Sequence, residues 1–247
     1  MRLGRHRVDA SAGHASSGRR LVFAAIALAL AAAACGTFDP PFPATSTCPN
    51  EARAAGTFPD LEALLPRGMI ERSPDELDSG WHCTAESLGT YAAHGVRELR
   101  FAGATWDLGD ANATVAAVFT TSPGEPPLQP AWVEEFYQLG ALSGRRIENV
   151  ETSRPLMGAA GPVWRLDALN DLSLQTIVVW PAGQVVRVVI VATEVAPGAS
   201  REDHDQRVAI AVDVSHAVPV PPAPPKPAPP KPATPASPGS ATSPGPS

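Results

Sequence analysis

The spacing of apolar residues divides the chain into three parts. Residues 21–34 form one apolar run, residues 48–217 show the periods of helices and strands, and residues 218–247 show neither of these periods. As a helix, the first run would reach only about 21 Å, whereas the apolar core of a bilayer is about 30 Å thick. The run therefore fits the short apolar region of an export signal better than a permanent membrane span.

Helical spacing in the middle part predicts five helices. Around residue 130 a buried stripe is indicated by Trp132, Phe136 and Leu139, which recur at positions i, i+4 and i+7. At Ser73, a capping-box pattern with proline in the first helical position is typical of a helix start. The five predicted helices are 61–65, a short one beginning at Ser73, 84–94, 130–142 and 201–216, the last capped by Ser200.

Strand-like patterns predict six strands: 96–102, 114–121, 147–152, 162–168, 172–180 and 184–193. Short turns separate the last three, which favours antiparallel hairpins. Residues 185–191 are apolar on both faces, so that strand is expected at the centre of the sheet. The predicted fold class is α+β, with a mostly antiparallel sheet of about six strands covered by helices.

An export and lipidation signal precedes this domain. Arg19 and Arg20 come before the apolar run, which ends in Ala32-Ala33-Ala34-Cys35-Gly36. The segment resembles the lipobox of bacterial lipoproteins, although Ala32 stands where leucine is usual. The resemblance implies cleavage before Cys35 and acylation of Cys35. The alternative is an ordinary secretory signal cut after small residues, and the export route, general or twin-arginine, stays open.

The number of cysteines is consistent with the lipid interpretation. Three cysteines would leave one free thiol in an oxidising compartment, unless Cys35 is consumed by acylation. Cys48 and Cys83 could then form a disulfide, which would stabilise the fold by about 4 kcal/mol in the chain-entropy model. Two reduced, buried thiols are the alternative.

Composition sets the predicted boundaries of the mature chain. Residues 1–34 are the signal peptide, 35–47 a proline-containing tether, 48–217 a single α+β domain and 218–247 a tail with 13 prolines, predicted to be disordered or polyproline II. The order of elements in the domain resembles the α/β/α sandwich of the extrinsic photosystem II subunit and similar mycobacterial lipoproteins. That resemblance implies a layered fold and assigns no functional residue.

The charge of the domain excludes some classes of function. Residues 35–217 contain 12 arginines, no lysine and 24 acidic residues, a net charge of −12. Such a domain is not expected to bind nucleic acid or to hold anionic lipid head groups by charge. Without lysine, the domain cannot use Schiff-base chemistry or a phosphate-binding P-loop.

Candidate chemistry in the domain is sparse, and no catalytic residue, metal site or cofactor is predicted. Asp203-His204-Asp205 is not predicted to bind a metal ion, because neighbouring side chains on a helix diverge by about 100°. Arg201–Asp205 and Asp203–Arg207 are instead expected as solvated ion pairs. Trp81 and Trp106 are the candidates for lining a ligand cleft, with core packing as the alternative.

These observations predict a non-enzymatic lipoprotein, anchored by lipid to the outer face of the cytoplasmic membrane. Its domain would bind a partner protein of the envelope or a small hydrophobic or envelope ligand. One alternative is an envelope hydrolase or transferase that uses His82 or His94. The other is a structural protein whose proline-rich tail contacts cell-wall polymer.

Overall fold

The structure is a computed structural model that describes residues 53–69, 71–144, 146–170 and 173–221. The signal, the tether, Cys35, Cys48 and nearly all of the proline-rich tail lie outside this range. The α-helices are α1 (Pro59–Glu62), α2 (Ala85–Leu88), α3 (Pro130–Ser143) and α4 (Arg201–His216), and a 3-10 turn spans Gly89–His94. None of the described helices is long and apolar enough to cross a bilayer.

Seven strands form one antiparallel sheet in the order β1-β2-β3-β9-β8-β7-β4, and β5 and β6 form a small separate ribbon. This confirms an α+β fold with a mostly antiparallel sheet, with seven strands rather than six. The strands are β1 (Glu76–His82), β2 (Leu99–Gly109), β3 (Asn112–Thr121), β4 (Ile147–Ser153), β5 (Leu156–Met157), β6 (Gly161–Pro162), β7 (Trp164–Asn170), β8 (Ser173–Ala182) and β9 (Val185–Glu194).

The additional strand is β1, and the helix predicted to begin at Ser73 is wrong. Residues 76–82 pair with β2 over their whole length. Asp75 is bound to the same strand, since its backbone N–H donates to Thr105 O and its carboxylate accepts from the backbone N–H of Asp107, both at 2.8 Å. A capping pattern contributes about 1 kcal/mol, which a full strand pairing outweighs.

Helices cover both faces of the sheet and give three layers. On one face, called the α3 face, α2, the 3-10 turn and α3 pack on alternate strand residues such as Leu99, Ile177 and Val188. On the opposite α4 face, α1 and α4 pack on the intervening residues, such as Ala104, Val178 and Val189. The predicted central position of the last strand is confirmed, because β9 lies between β3 and β8.

The pairing registers give the sheet two distinct ends. One end carries His82 of β1, Thr121 of β3 and the hairpin between Ala182 and Val185. Cys83 follows directly at this end, which we call the linker end. The opposite end, called the far end, carries the turn from Gly109 to Asn112 and the last residue of β9, Glu194.

The two edges of the sheet differ. At the β1 edge, Ala54 forms a backbone bridge with Ser79, so the chain that enters the domain covers part of this strand. At the β4 edge the pairing with β7 is irregular between Glu148 and Glu151, and Asn149 has a positive φ of 50°. The bulge interrupts the regular row of backbone groups along β4.

Candidate functional site

His204 is the centre of a buried polar cluster between α4 and the sheet. Its side chain is 0% exposed, so it does not share the solvated surface expected for the ion pairs of Asp203 and Asp205 on either side of it. The inward stripe of α4 contains Val208, Ala211, Val212 and Ser215, and all four are buried. His204 lies one turn before Val208 on the same stripe, and that spacing is the sequence signal for its burial.

Two threonines of the sheet satisfy both ring nitrogens of His204. Nδ1 lies 2.8 Å from Oγ1 of Thr193 on β9, and Nε2 lies 2.7 Å from Oγ1 of Thr176 on β8. The hydroxyl of Thr176 also donates to a carboxylate oxygen of Asp167. Because the single hydroxyl proton of Thr176 goes to Asp167, His204 must donate through Nε2 and accept from Thr193 through Nδ1.

Asp167 belongs to a group of two arginines and two aspartates around this chain of hydrogen bonds. Arg165 contacts Asp167 at 2.9 Å and also pairs with Asp205. Arg201 contacts Asp167 at 3.0 Å and Asp205 at 3.4 Å. The predicted Arg201–Asp205 pair is thus confirmed, as one contact of a four-residue network. Burial alone would raise the pKa of Asp205, but the hydrogen bond and charge of Arg165, together with Arg201, lower it.

Burial also determines the charge of His204. It lowers the pKa of the imidazole to about 4, and the nearby carboxylate of Asp205 only partly opposes this. The side chain is therefore neutral at pH 7, in agreement with a tautomer in which one nitrogen donates and the other accepts.

A surface pocket of about 350 Å³ adjoins the cluster at the far end of the sheet. Its lining comes from the end of β9, the following loop and the first turns of α4: Thr193, Gly198, Ala199, Ser200, Asp203, Gln206, Arg207 and Ile210. Arg207 donates to Oδ1 of Asn112 at 3.1 Å, which ties this side of α4 to the β2–β3 turn. Thr193 connects the pocket to His204.

Thr193, His204 and Asp167 supply the hydroxyl, imidazole and carboxylate that nucleophilic catalysis uses, but the hydroxyl of Thr176 lies between the imidazole and the carboxylate. Two properties oppose that use. A base with a pKa of about 4 is a weak proton acceptor at neutral pH, and Thr193 is only 7% exposed. The cluster is better suited to fixing α4 on β8 and β9 by directional hydrogen bonds.

The structure separates the two tryptophans predicted to line a cleft. Trp106 is 1% exposed and its indole N–H donates to Arg72 O at 3.0 Å, so it is a core residue with its polar atom satisfied. Trp81 is half-buried and packs edge-on against Phe58 at 4.4 Å between ring centroids. Trp81 pairs with Arg100, six residues along β2 from Trp106, a separation of about 20 Å. They cannot line one small cleft.

The histidines named as candidate bases lie apart from this cluster. His82 stacks on Phe101 at 4.6 Å on the α3 face. His94 forms a pair with Glu135 at 2.6 Å and stacks on Trp132 at 4.8 Å. This His–Glu pair is partly open to solvent on the outside of α3, where a reactive group would not be shielded from water.

Cys83 is buried and disulfide-bonded, and its partner lies outside the described residues. The specific pairing with Cys48 and the acylation of Cys35 therefore stay predictions. Within the described ranges, no group of three or more histidine, cysteine or acidic side chains could hold a metal ion.

Comparisons with known proteins found no match to a protein-family model, to a curated protein or to a solved structure.

Proposed function

We propose that this chain is an exported lipoprotein, anchored through Cys35 to the outer face of the cytoplasmic membrane, whose domain binds a partner protein. The disulfide at Cys83 is the observation that carries the proposed location. Stable disulfides form in oxidising compartments and are rare in the reducing cytosol. The lipobox-like segment before Cys35 supplies the proposed means of attachment.

A partner protein is favoured over a small hydrophobic ligand because the expected ligand cleft is filled. Trp106 lies in the core, and Trp81 packs against Phe58. The polar cluster around His204 satisfies its own hydrogen bonds and offers no accessible base. Binding by an exposed surface is the activity most compatible with these features.

The far end of the sheet is the best candidate for that surface. Ile210 is 41% exposed and lines the pocket there, beside the polar side chains of Asp203 and Arg207. An exposed apolar residue with a polar surround is a common composition for a protein contact site. Cys83 lies at the opposite end, so this arrangement would leave the far end accessible while the linker end is directed toward the membrane.

The location is tested by labelling cells with an alkyne analogue of palmitate and analysing the processed protein by mass spectrometry. We expect labelling of wild-type protein and a mass that includes acyl chains on residue 35. The Cys35→Ala variant should lose both the label and membrane retention. Unlabelled wild-type protein, or protein recovered from the cytosol, would contradict the proposed anchor.

The binding surface is tested by placing a photo-crosslinking amino acid at Ile210 in the full-length chain in cells. We expect a discrete cross-linked protein band, and no such band from the matched position Leu139 on α3. The prediction that Leu139 belongs to a buried stripe is wrong, because its exposure is similar to that of Ile210. Adducts at Leu139 but not at Ile210 would move the surface to α3. If neither position gave adducts and native mass spectrometry showed a bound small molecule, the proposed binding partner would be a small ligand and not a protein.

A further inference from the structure

A buried arginine interrupts the most apolar strand of the sheet. Arg187 is the third residue of β9, between Val186 and Val188, and it is 2% exposed. Alternation along the strand directs its side chain to the α4 face, among the neighbours of Val185 and Val189. Burying a charge is costly unless the charge is paired or well hydrogen-bonded, so the partners of this guanidinium determine its role.

The partners of Arg187 are two backbone carbonyls at the end of the domain. Nη1 of Arg187 donates to Ser215 O in the last turn of α4, and Nη2 donates to Val218 O at 2.7 Å. No carboxylate among the described residues pairs with it, and burial lowers its pKa. The positive charge therefore lies at the negative end of the α4 dipole, where a cation is favoured.

The residues that follow α4 continue onto the sheet instead of leaving it. Val220 is half-buried and packs on the apolar cluster of the α4 face. A methyl group added to Gly183, in the β8–β9 hairpin, would lie 3.2 Å from Cγ1 of Val220. The chain thus reaches the linker end of the sheet before it enters the proline-rich segment.

Little else nearby can compensate the charge. Trp180 is paired with Arg187 across β8 and β9, and its indole N–H is a buried donor without a hydrogen-bond partner in the described part of the chain. The hydroxyl of Ser215 is likewise buried and unpaired there. If residue 218 moved away, the guanidinium would lose one of its two acceptors.

We propose that residues 218–221 are a strap that Arg187 fastens to the sheet, and that the strap fixes where the proline-rich tail leaves the domain. The exit point lies at the β8–β9 hairpin, at the linker end, where Cys83 is also found. With the predicted Cys48–Cys83 disulfide, both flanking segments start from one end of the domain, and any partner that binds the tail is directed to that end. This inference is independent of the proposed binding surface.

Two truncations of the otherwise full-length chain test the strap. Removing residues 222–247 should leave the thermal midpoint unchanged, whereas removing 218–247 should lower it by about 5 °C or more. Arg187→Met keeps an unbranched, shorter side chain and removes the charge and the donors. Arg187→Met should lower the midpoint in the chain ending at 221, and by clearly less in the chain ending at 217. Equal midpoints for the two truncations, or equal effects of the substitution in both, would overturn the strap.

A second measurement does not depend on the truncated chains folding. A photo-crosslinking amino acid at Val220 of the full-length protein should attach to the peptide that contains residues 181–187. With Arg187→Met, this product should fall at least several-fold, while the same probe at Val195, an exposed residue at the far end, should give none in either protein. Cross-links from Val220 scattered over the domain would show that the segment is not held.

Discussion

The two faces of the sheet are built from alternate residues of the same strands, yet they are buried in different ways. The α3 face is largely aromatic and aliphatic, with rings in contact such as Tyr91 on Phe136 at 5.0 Å and Phe136 on Tyr137 at 5.5 Å. The α4 face also buries rings, among them Trp106 and Trp180, but it carries seven of the ten buried polar side chains of the described residues: Ser79, Thr114, Thr176, Arg187, Thr193, His204 and Ser215.

The comparison shows that one face mainly buries its helices, whereas the other also fixes the position of its helix. Apolar packing on the α3 face is not directional, so it stabilises the helix without requiring one register. The hydrogen bonds between His204 and two different strands can form in only one position of α4. Arg187 fixes the other end of the same helix. We therefore expect the α3 face to dominate stability and the α4 face to determine geometry and the response to pH.

The largest expected effect is the loss of an aromatic ring from the α3 face. Phe136→Ala should reduce the free energy of unfolding by about 3–5 kcal/mol, because the buried ring is removed and a cavity remains. The loss should be nearly the same at pH 7 and pH 5, since no titrating group changes. Urea denaturation at the two pH values measures it, with Phe136→Leu as the milder control. A strongly pH-dependent loss would break the comparison between the faces.

The next effect is the pH response of the α4 face. In the unfolded chain His204 should titrate near 6.5, whereas in the fold its pKa is about 4. Between these values only the unfolded state takes up the proton, so stability is present above pH 6.5 and is lost as the pH falls toward 4. The loss from this residue should reach about 2.5 kcal/mol at pH 4.5, measured by urea denaturation from pH 7 to pH 4.5.

Two variants assign that response. His204→Gln should be less stable at pH 7 but should flatten the slope between pH 6.5 and 4.5, because glutamine does not titrate. His216→Gln, which changes an exposed histidine at the end of the same helix, should keep the wild-type slope. An unchanged slope in His204→Gln would show that another group causes the response.

The smallest expected effect is on the solvent side of α3. Arg154 pairs with Glu134 at 2.5 Å, but its side chain is largely exposed, and such pairs contribute about 0–1 kcal/mol. Arg154→Ala should therefore change the urea midpoint only slightly, and 0.5 M salt should remove most of the difference. A change as large as that of Phe136→Ala would show that charge also determines stability on this face.

The sequence pattern predicted the helices and strands whose buried faces are mainly apolar. The start of α4 followed from the cap at Ser200, and the central position of β9 followed from its two apolar faces, because both signals lie within the segment itself. The start at Ser73 was wrong because a local capping signal competes with a long-range strand pairing, which the order of residues does not display.

The polar cluster was harder to predict because its partners are distant in sequence. The hydrogen bond between Thr176 and His204 spans 28 residues, and Arg165 and Asp205 are 40 apart. Between Asp203 and Asp205, His204 has neighbours typical of a solvated segment, although its spacing from Val208 indicates the opposite. Arg187 lay within a strand correctly predicted as central, but nothing local indicates that backbone carbonyls near residue 218 receive its hydrogen bonds.

The irregular β4 edge would have a consequence for this protein in the lipid-anchored location proposed above. Molecules confined to two dimensions collide more often than the same number in solution, and an open strand edge can recruit the edge of another copy. The left-handed backbone at Asn149 and the exposed carboxylates of Glu148 and Glu151 make such strand-to-strand joining unfavourable. This edge would let a crowded layer of copies remain separate molecules.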